Sequence, residues 1–282
     1  MSISKTAVIT GSTGGIGGEI ATLLAAEGWD LALINRSSDK SESQRRGLGA
    51  AFPDVDVRAY HADLTQITQI REAAEEVRTA HPRIDALYNV SGVLASSPSI
   101  GRSGHDAHYA VNVLAGYVLT QLLRPALVRG EGEAPTMVST MSSSAIKAVK
   151  WLDVAQLSRP EQFGLFGAYA ASKMALTIMG TAMADGLRRD NILIRSVDPG
   201  PTRTSMTAGG DGMPLVLRWL APLLFSPPDK QAAKVVFATD PERFDGRTGI
   251  LVANRKEQPL PSLVTDPDVQ AALMDKLERD AA

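Results

Sequence analysis

The sequence predicts a doubly wound α/β protein, a parallel β-sheet with helices packed on both faces. Three observations carry this expectation. Short runs rich in Val, Ile and Leu recur along the 282 residues, as in strands buried on both faces. Longer segments of helical period separate them, so successive strands are joined by right-handed crossovers and lie parallel. A glycine-rich turn, Thr10-Gly-Ser-Thr-Gly-Gly-Ile-Gly17, stands between the first strand and the first helix. Open α/β sheets hold their ligands at this kind of strand end.

Seven strands are expected, at Thr6–Thr10, Asp30–Asn35, Val55–Tyr60, Ile84–Asn89, Pro135–Met141, Ile192–Val197 and Gly249–Ala253. Helix-period segments lie between them at Gly15–Glu27, Gln66–Ala80, Gly104–Arg129, Phe163–Arg189 and Asp229–Thr239. No repeat, low-complexity tract or charged linker divides the chain, which reads as one domain over residues 1–282. Two stretches break the alternation. Lys147–Gln162 is polar and irregular; Pro201–Pro228 contains Gly209, Gly210 and Gly212 and ends in the apolar piece Leu215–Phe225. Both follow strand ends. Residues 201–228 read as a substrate lid or a plain surface excursion, and 254–282 as a C-terminal extension.

Composition narrows the chemistry. A net charge of -2 gives no reason to expect a nucleic-acid partner. Cys 0 removes disulfides, cysteine-ligated metals and thiol catalysis. The N-terminus enters a strand pattern without a secretion signal. The longest apolar run, Met213–Phe225, contains Arg218 and falls short of the ~18 residues that span a bilayer. A soluble cytoplasmic protein is expected, with its oligomeric state, monomer or homo-oligomer, left open.

The glycine turn suits a dinucleotide. Glycines let the backbone approach a pyrophosphate, whose charge then meets N–H groups at the helix N-terminus. Gly11, Ser12, Thr13, Gly15, Ile16 and Gly17 are therefore candidate cofactor-binding residues. No Gly-Lys-Ser/Thr follows, so this is not the nucleoside-triphosphate loop. The second strand ends in Asn35-Arg36-Ser37. A carboxylate there would bind a ribose 2′-OH, whereas Arg36 with Ser37 suits a 2′-phosphate. NADP(H) is favoured over NAD(H), although the turn carries Gly14 and no basic residue.

Tyr169 and Lys173 are four apart in a helical segment and share one face, with Cβ atoms ~5–6 Å apart. An ammonium so placed is expected to lower the phenol pKa and prepare Tyr169 to exchange a proton with a carbonyl or alcohol oxygen. The strand Pro135–Met141 runs into Ser142-Ser143-Ser144 at the ligand edge. His105 and His108 have metal-pair spacing but no third ligand, and read as solvated helix residues. No G-x-S-x-G elbow occurs, which argues against a hydrolase.

Together these motifs resemble the short-chain dehydrogenase/reductase family. T-G-x-x-x-G-x-G, a serine after the fifth strand and Y-x-x-x-K occur in the family's order. The resemblance implies a single Rossmann-type domain that moves hydride between NADP(H) and a small-molecule carbonyl or alcohol. Aligning Thr140-Met141-Ser142-Ser143 on the family's N-V-S-S implies Ser143 as the catalytic serine, with Ser142 the alternative. Lys173 would also grip the nicotinamide ribose, and Asn112 would bend the fourth helix and hold a water beside Lys173. Asp63 and Leu64 would lie near the adenine. Asn89 and Gly92 match N-N-A-G, from which Val90 and Ser91 depart. Pro199, Gly200, Thr202 and Thr204 resemble the P-G-x-x-x-T run beside the nicotinamide carboxamide. Within the family the chain looks like the retinol dehydrogenase and WW-domain oxidoreductase branch, which implies an apolar ketone or aldehyde. The alternatives are a reductase of acyl-thioester-borne ketones and a catalytically weak NADP-binding sensor or scaffold.

Overall fold

The computed structural model of the protein describes residues 4–95, 99–101, 103–159, 167–202 and 226–282. Thr204, most of the expected lid, the Met213–Phe225 run and the first turn of the segment expected at Phe163–Arg189 lie outside these residues. Eight strands form one sheet: β1 (Thr6–Thr10), β2 (Asp30–Asn35), β3 (Val57–His61), β4 (Ala86–Asn89), β5 (Thr136–Met141), β6 (Ile192–Asp198), β7 (Ile250–Ala253) and β8 (Lys256–Gln258). Their order is β3-β2-β1-β4-β5-β6-β7-β8. All neighbours pair in parallel except β7 with β8. The chain winds outward from β1 to β3 and then crosses to β4. The strand order therefore reverses between β1 and β4, and a crevice opens outside their C-terminal ends.

Why these runs are apolar throughout is visible in the core. In β1, Val8 faces one core layer while Ala7 and Ile9 face the other; in β2, Ala32 and Ile34 oppose Leu31 and Leu33. Period-2 side chains with both faces covered require apolar residues at every position. One layer packs under α1 (Gly15–Ala26) and α6 (Pro228–Ala238). The other packs under α3 (Ile67–Ala80), α4, α5 (Gly167–Arg188) and the C-terminal helix α8 (Pro267–Ala281). Here α4 denotes one continuous helix made of Ala107–Tyr109, a π-helical turn at Ala110–Leu114, and Ala115–Leu127.

The structure adds elements that the sequence pattern does not reveal. Helix α2 (Ser38–Ala51) buries only Ser41 and Leu48, so it lacks the apolar stripe that marks an amphipathic helix. It is started by Ser37, whose side chain accepts from Lys40 N. Strand β8 is short and charged, and it follows a two-residue hairpin in which Asn254 and Arg255 both take positive φ (50° and 61°). The extension at 254–282 thus holds a strand and two helices, α7 (Ser262–Thr265) and α8, which pack on α5. Helix α4 begins three residues later than expected, because Asp106 caps it by accepting from His108 N at 2.9 Å.

Candidate active site

The crevice between β1 and β4 is built from backbone geometry. Thr10 Oγ1 accepts from Val90 N and Ser91 N, both at 3.0 Å, and clasps the two strand ends together. Gly11 has φ +70°, and a Cβ on it would stand 2.7 Å from Ser91 Oγ. A Cβ on Gly17 would lie 2.4 Å from the Gly11 carbonyl oxygen. Helix α1 starts at Gly15 with no side-chain cap and no acidic residue in its first turn. Its leading N–H groups therefore face an opening shaped like a phosphate cradle, and the turn fits a dinucleotide. Thr13 is exposed there, with Gly15 and Ile16 half-buried.

Ser12 plays a different part from its neighbours. It is fully buried; its N–H donates to Asn35 Oδ1 (2.8 Å) and its hydroxyl donates to Gln44 Oε1 (2.8 Å). Gln44 Nε2 returns to Ser12 O at 2.5 Å. The side chain of Ser12 thus ties the turn to α2 and holds the loop's shape.

Arg36 is exposed at the end of β2, with no hydrogen bond or ion pair shown for it among the described residues. Ser37 beside it caps α2. Asp63 follows β3 and accepts from Thr65 N (3.0 Å) and Thr65 Oγ1 (2.8 Å). Partial burial works to raise its pKa, but the Thr65 and Gln66 hydrogen bonds and the nearby Arg36 charge outweigh burial and hold it low. Arg36 and Asp63 therefore share one edge. Leu64 and Asn89 line a small cleft with Thr10, Ser91 and Asn112. Asn89 Nδ2 donates to Thr120 Oγ1 at 3.4 Å, while its Oδ1 is buried without a partner. Gly92, half-buried, follows in the same loop.

On the β6 side, Pro199 is buried and Gly200 turns the chain at φ +87°. The Gly200 N–H donates to Asp198 Oδ1 (2.9 Å), and Thr202 Oγ1 donates to the Gly200 carbonyl (2.9 Å). Gln231 on α6 braces the segment through Pro201 O at 3.3 Å, and its Oε1 is buried without a partner.

The Ser–Tyr–Lys set comes together between β5 and α5. The Ser143 hydroxyl lies close enough to the Tyr169 phenol to lower its pKa, and its Oγ also accepts from Ala145 N at 3.2 Å. Ser142 points the other way, its Oγ 2.9 Å from Thr177 Oγ1. The alternation of an extended strand end puts consecutive serines on opposite sides, so one meets the tyrosine and the other the helix behind it. Lys173 is buried; its Nζ donates to Met141 O at 2.8 Å and lies 5.6 Å from the Tyr169 ring centroid.

The electrostatics differ from the expectation of a lowered phenol pKa. Burial is the largest influence on Tyr169 and raises its pKa; the nearby Ser143 hydroxyl offsets part of this, and the Asp198 charge adds to it. Burial also pulls Lys173 from 10.5 down to about 8, against the opposing attraction of Asp198. The ammonium is committed to a strand carbonyl rather than to the phenol oxygen, so desolvation wins and Tyr169 stays a neutral proton donor.

Asn112 sits in the π-helical turn of α4. Its Oδ1 accepts from Val93 N (2.7 Å), and its Nδ2 donates to Val93 O (3.1 Å) and Ser172 Oγ (2.9 Å). The side chain is thus spent on the wall of the site.

His108 departs from the sequence reading. It is 1% exposed rather than solvated, its ring 6.5 Å from that of Tyr169. No group of three or more metal-binding side chains occurs among the described residues. The spacing of Asp106, His108 and Asn112 carries a faint signal, a helix cap followed by polar residues four apart on one face. Gln44 and Gln231 carry none, because a glutamine in a polar helix looks like any solvated residue.

Comparison with known proteins identifies the family. Residues 5–211 match the family model for short chain dehydrogenase. Human retinol dehydrogenase 13 is 28% identical over 72% of this chain, which spans 60% of that protein's length. Mouse polyprenol dehydrogenase is 25% identical over 95% of this chain and 81% of its own. Among solved structures, a short chain dehydrogenase from Burkholderia cenocepacia in complex with NADP is 27% identical, with a TM-score of 0.68 over 88% of this chain and 95% of that one. With a family match over most of its length, this chain belongs to the short-chain dehydrogenase/reductase family of oxidoreductases.

Proposed function

We propose that the protein moves hydride between NADP(H) and an apolar ketone, aldehyde or alcohol. The observation that carries this reading is the convergence of Ser143, Tyr169 and buried Lys173 at the strand edge that also holds the glycine cradle. The nicotinamide, when bound, supplies or accepts the hydride. The Gly11–Gly17 turn and the N-terminus of α1 would hold its pyrophosphate, and Arg36 with Ser37 would meet the 2′-phosphate. Asp63, Leu64, Asn89 and Gly92 would line the adenosine side, and Pro199, Gly200 and Thr202 the nicotinamide side.

Ser143 orients and polarises the substrate oxygen. Tyr169, kept neutral by burial, donates its proton to that oxygen as negative charge develops there. Lys173 would grip the ribose and bring positive charge near the phenolate that remains; its pKa of about 8 leaves it mostly charged at neutral pH. Asn112 fixes the loop facing them, and its bent helix turn would hold a water beside Lys173. Relatives named for retinol and polyprenol support an apolar alcohol or carbonyl, and the NADP complex of the Burkholderia cenocepacia relative supports the phosphorylated cofactor.

The test is NADPH oxidation against a panel of apolar aldehydes and ketones. Turnover of panel members with NADPH preferred over NADH is expected. Tight NADPH binding with no turnover across the panel contradicts the enzyme reading.

A further inference from the structure

His108 lies outside the set proposed for chemistry, yet it touches that set and the wall opposite it. Its Nε2 faces the backbone N–H of Ala95 at 3.0 Å. That N–H can only donate, so Nε2 accepts and carries no proton. Its Nδ1 faces Asp106 Oδ1 at 2.9 Å, and the carboxylate accepts from an Nδ1–H. The two partners together select one neutral tautomer. Asp106 is itself fully buried and pinned: it also accepts from His108 N (2.9 Å) and Ser99 N (3.2 Å), and its own N–H donates to Ser158 O (2.7 Å).

The ring also presents an edge-to-face contact to Tyr169, with centroids 6.5 Å apart and planes at 73°. One turn along α4, Asn112 holds Val93 through both backbone groups and donates to Ser172 Oγ, which in turn donates to the Tyr169 carbonyl at 2.7 Å. The segment 93–95 and the base of Tyr169 are therefore gripped from one face of one helix, by His108 at one end and Asn112 at the other.

We propose that His108, locked in its Nδ1-protonated tautomer by Asp106, is a positioning residue. It fixes the 93–95 wall and the phenol of Tyr169 at the distance proton donation needs. This inference rests on the reading of Tyr169 as proton donor. Ring and wall share one support, so loosening it moves the donor relative to the substrate oxygen while leaving the glycine cradle intact. Misplacement of this kind lowers the chemical step more than cofactor binding.

The test compares two amide replacements with different reach. In His108→Gln the amide extends to the place of Nε2 and can accept from Ala95 N–H. In His108→Asn it stops near Nδ1 and cannot. With NADPH and an apolar aldehyde that the wild-type protein reduces, H108Q is expected to keep kcat within about threefold. H108N is expected to lose tenfold or more in kcat, with the NADPH Kd within about twofold of wild type. Should H108N fail to fold, His108→Leu is read the same way.

Equal kcat for the Gln and Asn variants, or a loss in H108N that lies in NADPH binding, overturns the inference. Nitrogen-15 spectra of the wild-type imidazole at pH 7.5 test the lock without turnover: a protonated Nδ1 with a bare Nε2 supports it, and any other state overturns it. Tyr169→Phe, measured in parallel, separates the two claims. If it keeps wild-type kcat, the proton-donor reading fails; if it is inactive while both amide variants match wild type, only the role of His108 fails.

Discussion

Replacing Lys173 with Met is expected to stabilise the protein while removing its activity. Lys173 is buried on α5 and its pKa falls from 10.5 to about 8, burial being the main cause. That difference corresponds to a cost of about 3 kcal/mol for carrying the charge into the fold at pH 7. Methionine fills similar space without charge, but Met141 O loses a donor at 2.8 Å, a loss of about 1–3 kcal/mol. The net gain at pH 7 is about 1 kcal/mol, or roughly 2–4 °C in Tm for a chain of this size.

The pH dependence fixes the cause. A base whose pKa is lowered by folding binds fewer protons in the folded state between pH 8 and 10.5, so wild-type stability from this group rises across that window. The advantage of K173M should therefore be largest below pH 8 and shrink by about 2 kcal/mol at pH 10. Urea unfolding of both proteins at pH 7 and pH 10 measures this, alongside NADPH-dependent turnover. A stability difference that does not change with pH would refute the electrostatic reasoning. So would K173M with wild-type turnover.

Other variants probe the cofactor cradle. Gly17→Ala places a Cβ 2.4 Å from Gly11 O, so it is expected to cost about 1–3 kcal/mol in stability and to weaken NADPH binding at least tenfold by titration calorimetry. Arg36→Ala should weaken NADPH severalfold and leave NADH nearly untouched; equal loss for both removes the 2′-phosphate assignment. Gly14 has extended backbone at φ 165°, and a Cβ there meets nothing within 4 Å. Gly14→Arg should therefore fold normally and tighten NADPH severalfold over NADH, an effect that added salt reduces.

Strands β1 and β2 carry the boundaries expected of them, because every position in Thr6–Thr10 and all but the first in Asp30–Asn35 are buried, leaving a continuous apolar signal. Helix α2 and β8 were silent for the opposite reason. They are held by a serine cap, by Gln44's bonds to Ser12 and by a hairpin turn, none of which writes an apolar period into the chain. The proposed catalytic and cofactor-binding set is visible in the sequence because such chemistry would demand fixed spacings, Tyr169 to Lys173 and Gly11 to Gly17. The support beneath it is not. Which serine meets Tyr169 depends on the twist of one strand end, and Lys173's partner is a backbone carbonyl that any residue could supply. His108 looked solvated because nothing in its neighbours announces that Ala95 N–H, thirteen positions away, waits for an acceptor.

The central claim is that Tyr169 delivers the proton to a substrate oxygen held by Ser143. Its most direct measurement is single-turnover reduction of an apolar aldehyde by the Tyr169→Phe protein preloaded with NADPH. Phenylalanine keeps the ring and its contacts with His108 and Lys173, and removes only the hydroxyl. An unchanged NADPH Kd and a chemical step slowed by about 10²–10⁴-fold are expected. A Tyr169→Phe protein that oxidises NADPH at the wild-type rate contradicts it.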